Sequence, residues 1–222
     1  MQRSPRLGRF LQTDPVGYEE DLNFYAYVRN DPINRQDPTG RWNCSGTKVE
    51  CDRIAQHLER LHEAAEMARR RENAARRDRL TSVDRFYGRR GQRNGVIVGN
   101  ESLPPGVLGR TTNRRGQVTI RLDLRQIDRR SREIGPGQSG RDTGAGITAE
   151  EGRHGIDRRA NGAPQSPQEA LERERAGYRV QTDVYRTTGV WGANIDPQFD
   201  EDFIEAGARG SVQQAAEYDW DD

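Results

Sequence analysis

The spacing of apolar positions changes along this chain, and each spacing predicts a different element. Ile54, Leu58, Leu61, Ala65 and Ala68 recur at helical intervals beneath a face of Arg and Glu, which predicts one amphipathic helix over 48–80. His57 and His62 fall on different faces of it and are both expected at the solvated surface. Its Arg-rich end, Arg69 to Arg79, holds Glu72 and Asp78 and reads as a salt-bridged helix end. Beyond it the period becomes two. "NGVIVGN" and "GQVTIRLDL" alternate between turn formers, giving a β region over 94–125 in which Val118, Ile120, Leu122 and Leu124 share one face. The intervening "LPPGVLGRTTNRRG" reads as loop. So does the glycine-rich "IGPGQSGRDTGAG", which lacks the Gly-Lys-Ser/Thr end and the preceding strand of a phosphate cradle. Helical signals return in motif helices over 147–188, in pieces 147–160 and 167–188, the second opened by Pro167. A weaker amphipathic C-terminal segment covers 197–222 and ends in the acidic "EYDWDD".

Composition narrows the classes. Hydrophobic and charged residues each make up 32% of 222 residues, so the core must be lean and the loops polar. The net charge is +1, which argues against nucleic-acid binding by bulk electrostatics. All but one of the 36 basic residues are Arg, Lys48 being the exception, a skew that fits a GC-rich genome and also supplies bidentate carboxylate partners. No apolar run approaches the ~18 residues of a membrane helix, so membrane insertion is not expected. The start "MQRSPRLGRF" lacks a signal-peptide core, so export would need another carrier. Cys44 and Cys51 are close enough to close a small loop ahead of the first helix in an oxidising environment, and would be buried thiols in cytosol.

Residues 1–42 differ from the rest. They carry "GRFLQTDPVGYEEDLNFYAYVRNDPINRQDPTG", with a short strand at "NFYAYV" between Asp-Pro turns. Over residues 8–40 this resembles the C-terminal end of the Rhs repeat-associated core: Gly-Arg-Phe-Leu, Asp-Pro-x-Gly, Asn-x-Tyr-x-Tyr-Val-x-Asn-x-Pro and a closing Asp-Pro-x-Gly. The resemblance implies a β cocoon around a variable C-terminal toxin, delivered by a bacterial secretion system into a competing cell and matched by an immunity protein in the producer. Asp14 and Asp37 match the paired aspartates tied to self-cleavage in an intact core. Paired carboxylates suit that chemistry, one activating water and the other protonating the leaving group. Arg41-Trp42 stands where the family usually has a leucine, which leaves the cleaved bond open, and a plain turn-forming role for both Asp-Pro pairs fits equally. Residues 43–222 would then be the toxin domain.

Within that domain the sequence "ITAEEGRHGIDRR" places Glu150 and His154 one turn apart on a helix, with Glu151 beside them. Zinc hydrolases use this arrangement as His-Glu-x-x-His: two ligands one turn apart, and a Glu that takes a proton from water activated at the ion. Here the first histidine is replaced by Glu150. Downstream, Glu174, Tyr178 and Gln181 follow a Glu-x-x-x-Tyr-x-x-Gln spacing. Together with the order of β region, loop, motif helix and second helix, this resembles zincin-like metallopeptidase domains over residues 94–188. The resemblance implies zinc held by Glu150, His154 and Glu174, with Glu151 as base and a protein or peptide as substrate. A second carboxylate ligand would make water at the ion less acidic and the nucleophile weaker at neutral pH. A working metal site, an altered or inactivated one, and a polar helix face without metal all remain open. Asp157 reads as a partner of Arg153 or Arg158.

A rival chemistry is Glu172-Arg173-Glu174, which matches the Glu-x-Glu of arginine-directed ADP-ribosyltransferases but lies in a helical run. A non-enzymatic binding effector is a third class. Three histidines and one lysine are too few for most nuclease sites. The expected fold is α+β: a mainly helical zincin-like domain with a small antiparallel sheet, preceded by a loop-rich β remnant.

Overall fold

The computed structural model describes residues 3–4, 9–10, 42–70, 73–88, 94–134, 140–191 and 196–218. The self-cleavage assignments at Asp14 and Asp37, and the strand expected at "NFYAYV", lie outside the described residues. Near the start, β1 (Arg3–Ser4) and β2 (Arg9–Phe10) form a short antiparallel pair.

From residue 42 onward the described chain is α+β and mostly helical. Its elements are β3 (Asn43–Ser45), α1 (Lys48–Arg69), α2 (Ala74–Tyr87), β4 (Val96–Asn100), β5 (Gly109–Arg114), β6 (Gln117–Leu122), α3 (Leu124–Ile134), α4 (Gly140–Asn161), α5 (Pro167–Thr188) and α6 (Pro197–Tyr218). The sheet order is β3-β4-β6-β5, with β3–β4 and β4–β6 parallel and only β5–β6 antiparallel. It is therefore a mixed sheet, and the expectation of an antiparallel one is corrected. The cause is connectivity: α1 and α2 carry the chain from β3 back to the same end before β4, as parallel pairing requires, and only β5 and β6 are joined by a tight turn.

Local chemistry explains where the elements begin and end. Thr47 and Glu50 form a reciprocal capping box at the start of α1. The single helix expected over 48–80 is two, because α1 stops at Arg69 and Asn73 starts α2 by accepting the Arg76 N–H at 2.9 Å. Residues 109–114, read as loop, are a strand: Arg115 (φ 52) and Gly116 (φ 84) make a two-residue turn with positive φ at both positions, and this reverses β5 onto β6. Asp123 ends the β region by accepting the N–H groups of Arg125 and Gln126, which starts α3 where period-two alternation continues in the sequence. Ser166 caps α5 with Pro167 at its first position, and Gly189 (φ 82) closes it in the left-handed region.

The core lies between the sheet and the helices. Val96, Val98, Val118, Ile120 and Leu122 bury against a cluster that includes Trp42, Ile54, Leu61, Leu80, Val83 and Ile127. The central helix is α4, which contacts α1, α2, α3, α5, β5 and β6. It begins at Gly140, inside the stretch read as a glycine-rich loop, and its glycines are packing positions. A Cβ at Gly144 would lie 2.2 Å from the His57 ring, and one at Gly146 would lie 2.3 Å from the Tyr185 ring. His57 is accordingly buried, at 3% exposure, which corrects its placement at the surface. His62 is partly exposed and meets Asp84 at 3.0 Å. The structure joins Cys44 to Cys51, tying β3 to the first turn of α1. No helix among the described residues is long and apolar enough to cross a membrane.

Candidate metal centre

Glu150, Glu151 and His154 belong to the middle of α4, and Glu174 to α5, which packs along it. The close approach of the two helices depends on Gly177, one turn after Glu174. A Cβ there would stand 2.9 Å from His154 Nε2 and 3.2 Å from Glu150 Cγ. With that position empty, one ligand-type atom from each of Glu150, His154 and Glu174 falls within 4.8 Å of the others. His154 Nε2 and Glu174 Oε2 are 3.6 Å apart, too far for a hydrogen bond. The spacing is close to the roughly 3.4 Å edge of a tetrahedron with bonds of about 2.1 Å.

The electrostatics of the cluster also favour a cation. Glu150 and Glu151 are both buried, beside the partly buried Glu174, with one imidazole among them. Burial raises the Glu150 pKa well above the ordinary carboxylate range, and the charges of Glu151 and Glu174 add to it. Burial raises Glu151 as well, while His154 and the Thr111 hydroxyl pull it back. Such a group of acids must take up protons or bind a positive ion. The donor set fits a divalent metal, which these three side chains could hold.

Glu151 is turned toward the sheet. Its Oε2 accepts a hydrogen bond from Thr111 Oγ1 at 2.5 Å, and Thr111 Oγ1 also donates to its main-chain carbonyl at 3.1 Å. A Cβ at Gly109 would lie 2.3 Å from Glu151 Oε1, so only glycine leaves room for the carboxylate beside the edge strand. These positions open onto a cleft of about 1270 Å³ between β5, α4, α5 and α6. Tyr178 enters it with its hydroxyl 3.1 Å from Ser211 Oγ, and burial together with Glu150 and Glu174 raises its pKa, so it stays protonated. Gln181, also at the cleft, is buried and donates to Tyr185 Oη at 2.9 Å.

Of the residues singled out in the sequence, Glu150, His154 and Glu174 are brought together, with Glu151 alongside. Asp157 takes a two-point pair from Arg153 at 2.8 and 2.9 Å and stands apart from the ligand set. Glu172 and Glu174 diverge: Glu172 is exposed and bonds Gln168, whereas Glu174 turns toward His154. Tyr178 is marked in the sequence only by its place in the Glu-x-x-x-Tyr-x-x-Gln spacing, and Thr111, Gly109 and Gly177 carry no sign of a site there. Thr111 and Gly109 sit in the segment read as loop, and a glycine needed for close helix contact has no signature in hydropathy. Comparison with protein-family models, curated proteins and solved structures finds no match to this chain.

Proposed function

We propose that residues 43–222 are a zinc-dependent, zincin-like peptidase effector at the C-terminus of an Rhs-type secreted protein, acting on a protein or peptide in a competing cell. The observation that carries this reading is the convergence of Glu150, His154 and Glu174 around one point, with a buried Glu151 adjacent. The Rhs-like motifs in residues 8–40 support the carrier half of the proposal, and with it a β cocoon, delivery by a bacterial secretion system and a cognate immunity protein.

Zinc at these three side chains would supply a Lewis acid that polarises water and the scissile carbonyl. The remaining chemistry belongs to the chain. Burial brings the proton affinity of Glu151 up from the ordinary carboxylate range, as a base working near neutrality requires. Thr111 holds one of its oxygens, and the other, beside Gly109, would take a proton from water and return it to the departing amine. As the edge strand of the sheet, β5 offers backbone groups with which an extended peptide can pair alongside Glu151. Glu150 in place of a histidine puts extra negative charge at the ion and lowers its acidity, so turnover is expected to be slow.

The test is hydrolysis of an unfolded protein by the zinc-supplied full chain, compared with Glu151→Gln. The variant should retain zinc while losing about 100-fold or more in rate. Hydrolysis that persists in Glu151→Gln, or that needs no metal, overturns the reading.

A further inference from the structure

We infer that Gln181 is a positioning residue for the metal ligand Glu150, its side-chain amide donating to the carboxylate oxygen turned away from the ion; this rests on the metal centre of the peptidase reading. The packing of α4 against α5 sets the two side chains at one level. Tyr185 lies against Gly146, and Gly177 lies against His154. One turn from Gly146 toward His154 is Glu150, and one turn from Tyr185 toward Gly177 is Gln181. Both are buried, and both line the cleft. Burial raises the Tyr185 pKa and the charge of Glu150 adds to it, which puts that carboxylate near the hydroxyl bonded to Gln181.

Each of the two side chains has a gap that the other can fill. Glu151 is held by Thr111, whereas Glu150 accepts no hydrogen bond among the described residues. Ligand carboxylates are ordinarily fixed by such a bond, and its loss weakens metal binding by about 10- to 100-fold. On the facing helix, Gln181 uses Nε2 on Tyr185 Oη at 2.9 Å, which leaves its Oε1 buried without a partner. Tyr185 in turn donates to the Thr143 carbonyl across 3.4 Å, long for a hydroxyl donor. Turning the amide over about its last bond repairs all of this, because its oxygen and nitrogen exchange places without moving the chain. Tyr185 then donates to Oε1, and Nε2 is free for Glu150. A carboxylate holding a cation accepts at its other oxygen, so this orientation belongs to the occupied site. Tyr178, the other donor close to Glu150, is already paired with Ser211 Oγ at 3.1 Å.

The experiment takes two readings on the full chain: zinc affinity by competition with a chelating dye, and the visible spectrum of cobalt(II) loaded in place of zinc, which reports on the ligands themselves. Gln181→Met keeps the volume and removes the donor. It should bind zinc about tenfold more weakly and shift the cobalt bands, with the fold retained in a thermal melt. Tyr185→Phe keeps the amide but removes the hydroxyl that orients it, and should shift the bands in the same direction with a smaller loss of affinity. If Gln181→Met does not fold, Tyr185→Phe decides by the same two readings. Native affinity with native bands overturns the inference. So does weaker binding with unchanged bands, which is what a merely structural role would give. Failure of the native protein to bind either metal contradicts the metal centre itself, whereas native binding that both variants leave untouched contradicts only the role of Gln181.

Discussion

At the scale of single residues, the centre depends on which side chains are kept charged, kept neutral or left out. His57 shows the neutral case away from the cluster. Burial, with the charges of Arg53 and Arg141, lowers its pKa from 6.5 to about 4. The folded protein therefore resists protonating it while the unfolded chain does not. The stability this neutral ring permits is present above pH 6.5 and is lost as pH falls toward 4, by about 3 kcal/mol over that window. Urea unfolding of native protein and His57→Gln across the window should show the native protein losing that much relative to the variant. Parallel curves would contradict the burial argument. Gly177 shows the left-out case: Gly177→Ala pushes a methyl against His154 and Glu150, and zinc titration should show weakened binding with the helices intact by circular dichroism.

At the scale of elements, α4 is a helix built to be approached closely. Gly146 and Gly210 offer a matched pair of substitutions. Gly146→Ala forces a Cβ into the Tyr185 ring and is expected to cost about 1–3 kcal/mol despite better helix propensity. Gly210→Ala in α6 meets nothing within 4 Å and should stabilise by about 0.5–1 kcal/mol. Chemical denaturation of both checks the signs. This contrast also explains what the sequence could convey. The amphipathic spacing of α1, the Ser166-Pro167 start of α5 and the alternation in β4 and β6 are one-dimensional signals, and those elements were legible. The glycine-rich start of α4 reads as loop because its reason for being helical lies on other elements: His57 of α1 and Tyr185 of α5. Likewise β5 lacks strong alternation, and its turn is set by positive φ at Arg115 and Gly116. The choice of Glu174 as a partner of His154 comes from the zincin-like resemblance of its Glu-x-x-x-Tyr-x-x-Gln spacing, whereas the Thr111 contact to Glu151 has no such sign, since it spans 40 residues across an unrecognised strand.

At the scale of the whole molecule, β3 is held to the body by the Cys44–Cys51 bond and by burial of Trp42. Closing so short a loop stabilises by about 2 kcal/mol, and Cys44→Ser/Cys51→Ser should lose that amount in denaturant unfolding. The sheet edge, the central helix and α5 converge on one point, and the account depends on that point holding a single divalent ion. Zinc titration of the full chain by calorimetry tests it most directly. One equivalent should bind the native protein, bind more tightly to Glu150→His, and be lost in His154→Ala/Glu174→Ala. Absence of stoichiometric zinc from both the native and the Glu150→His protein would contradict the account.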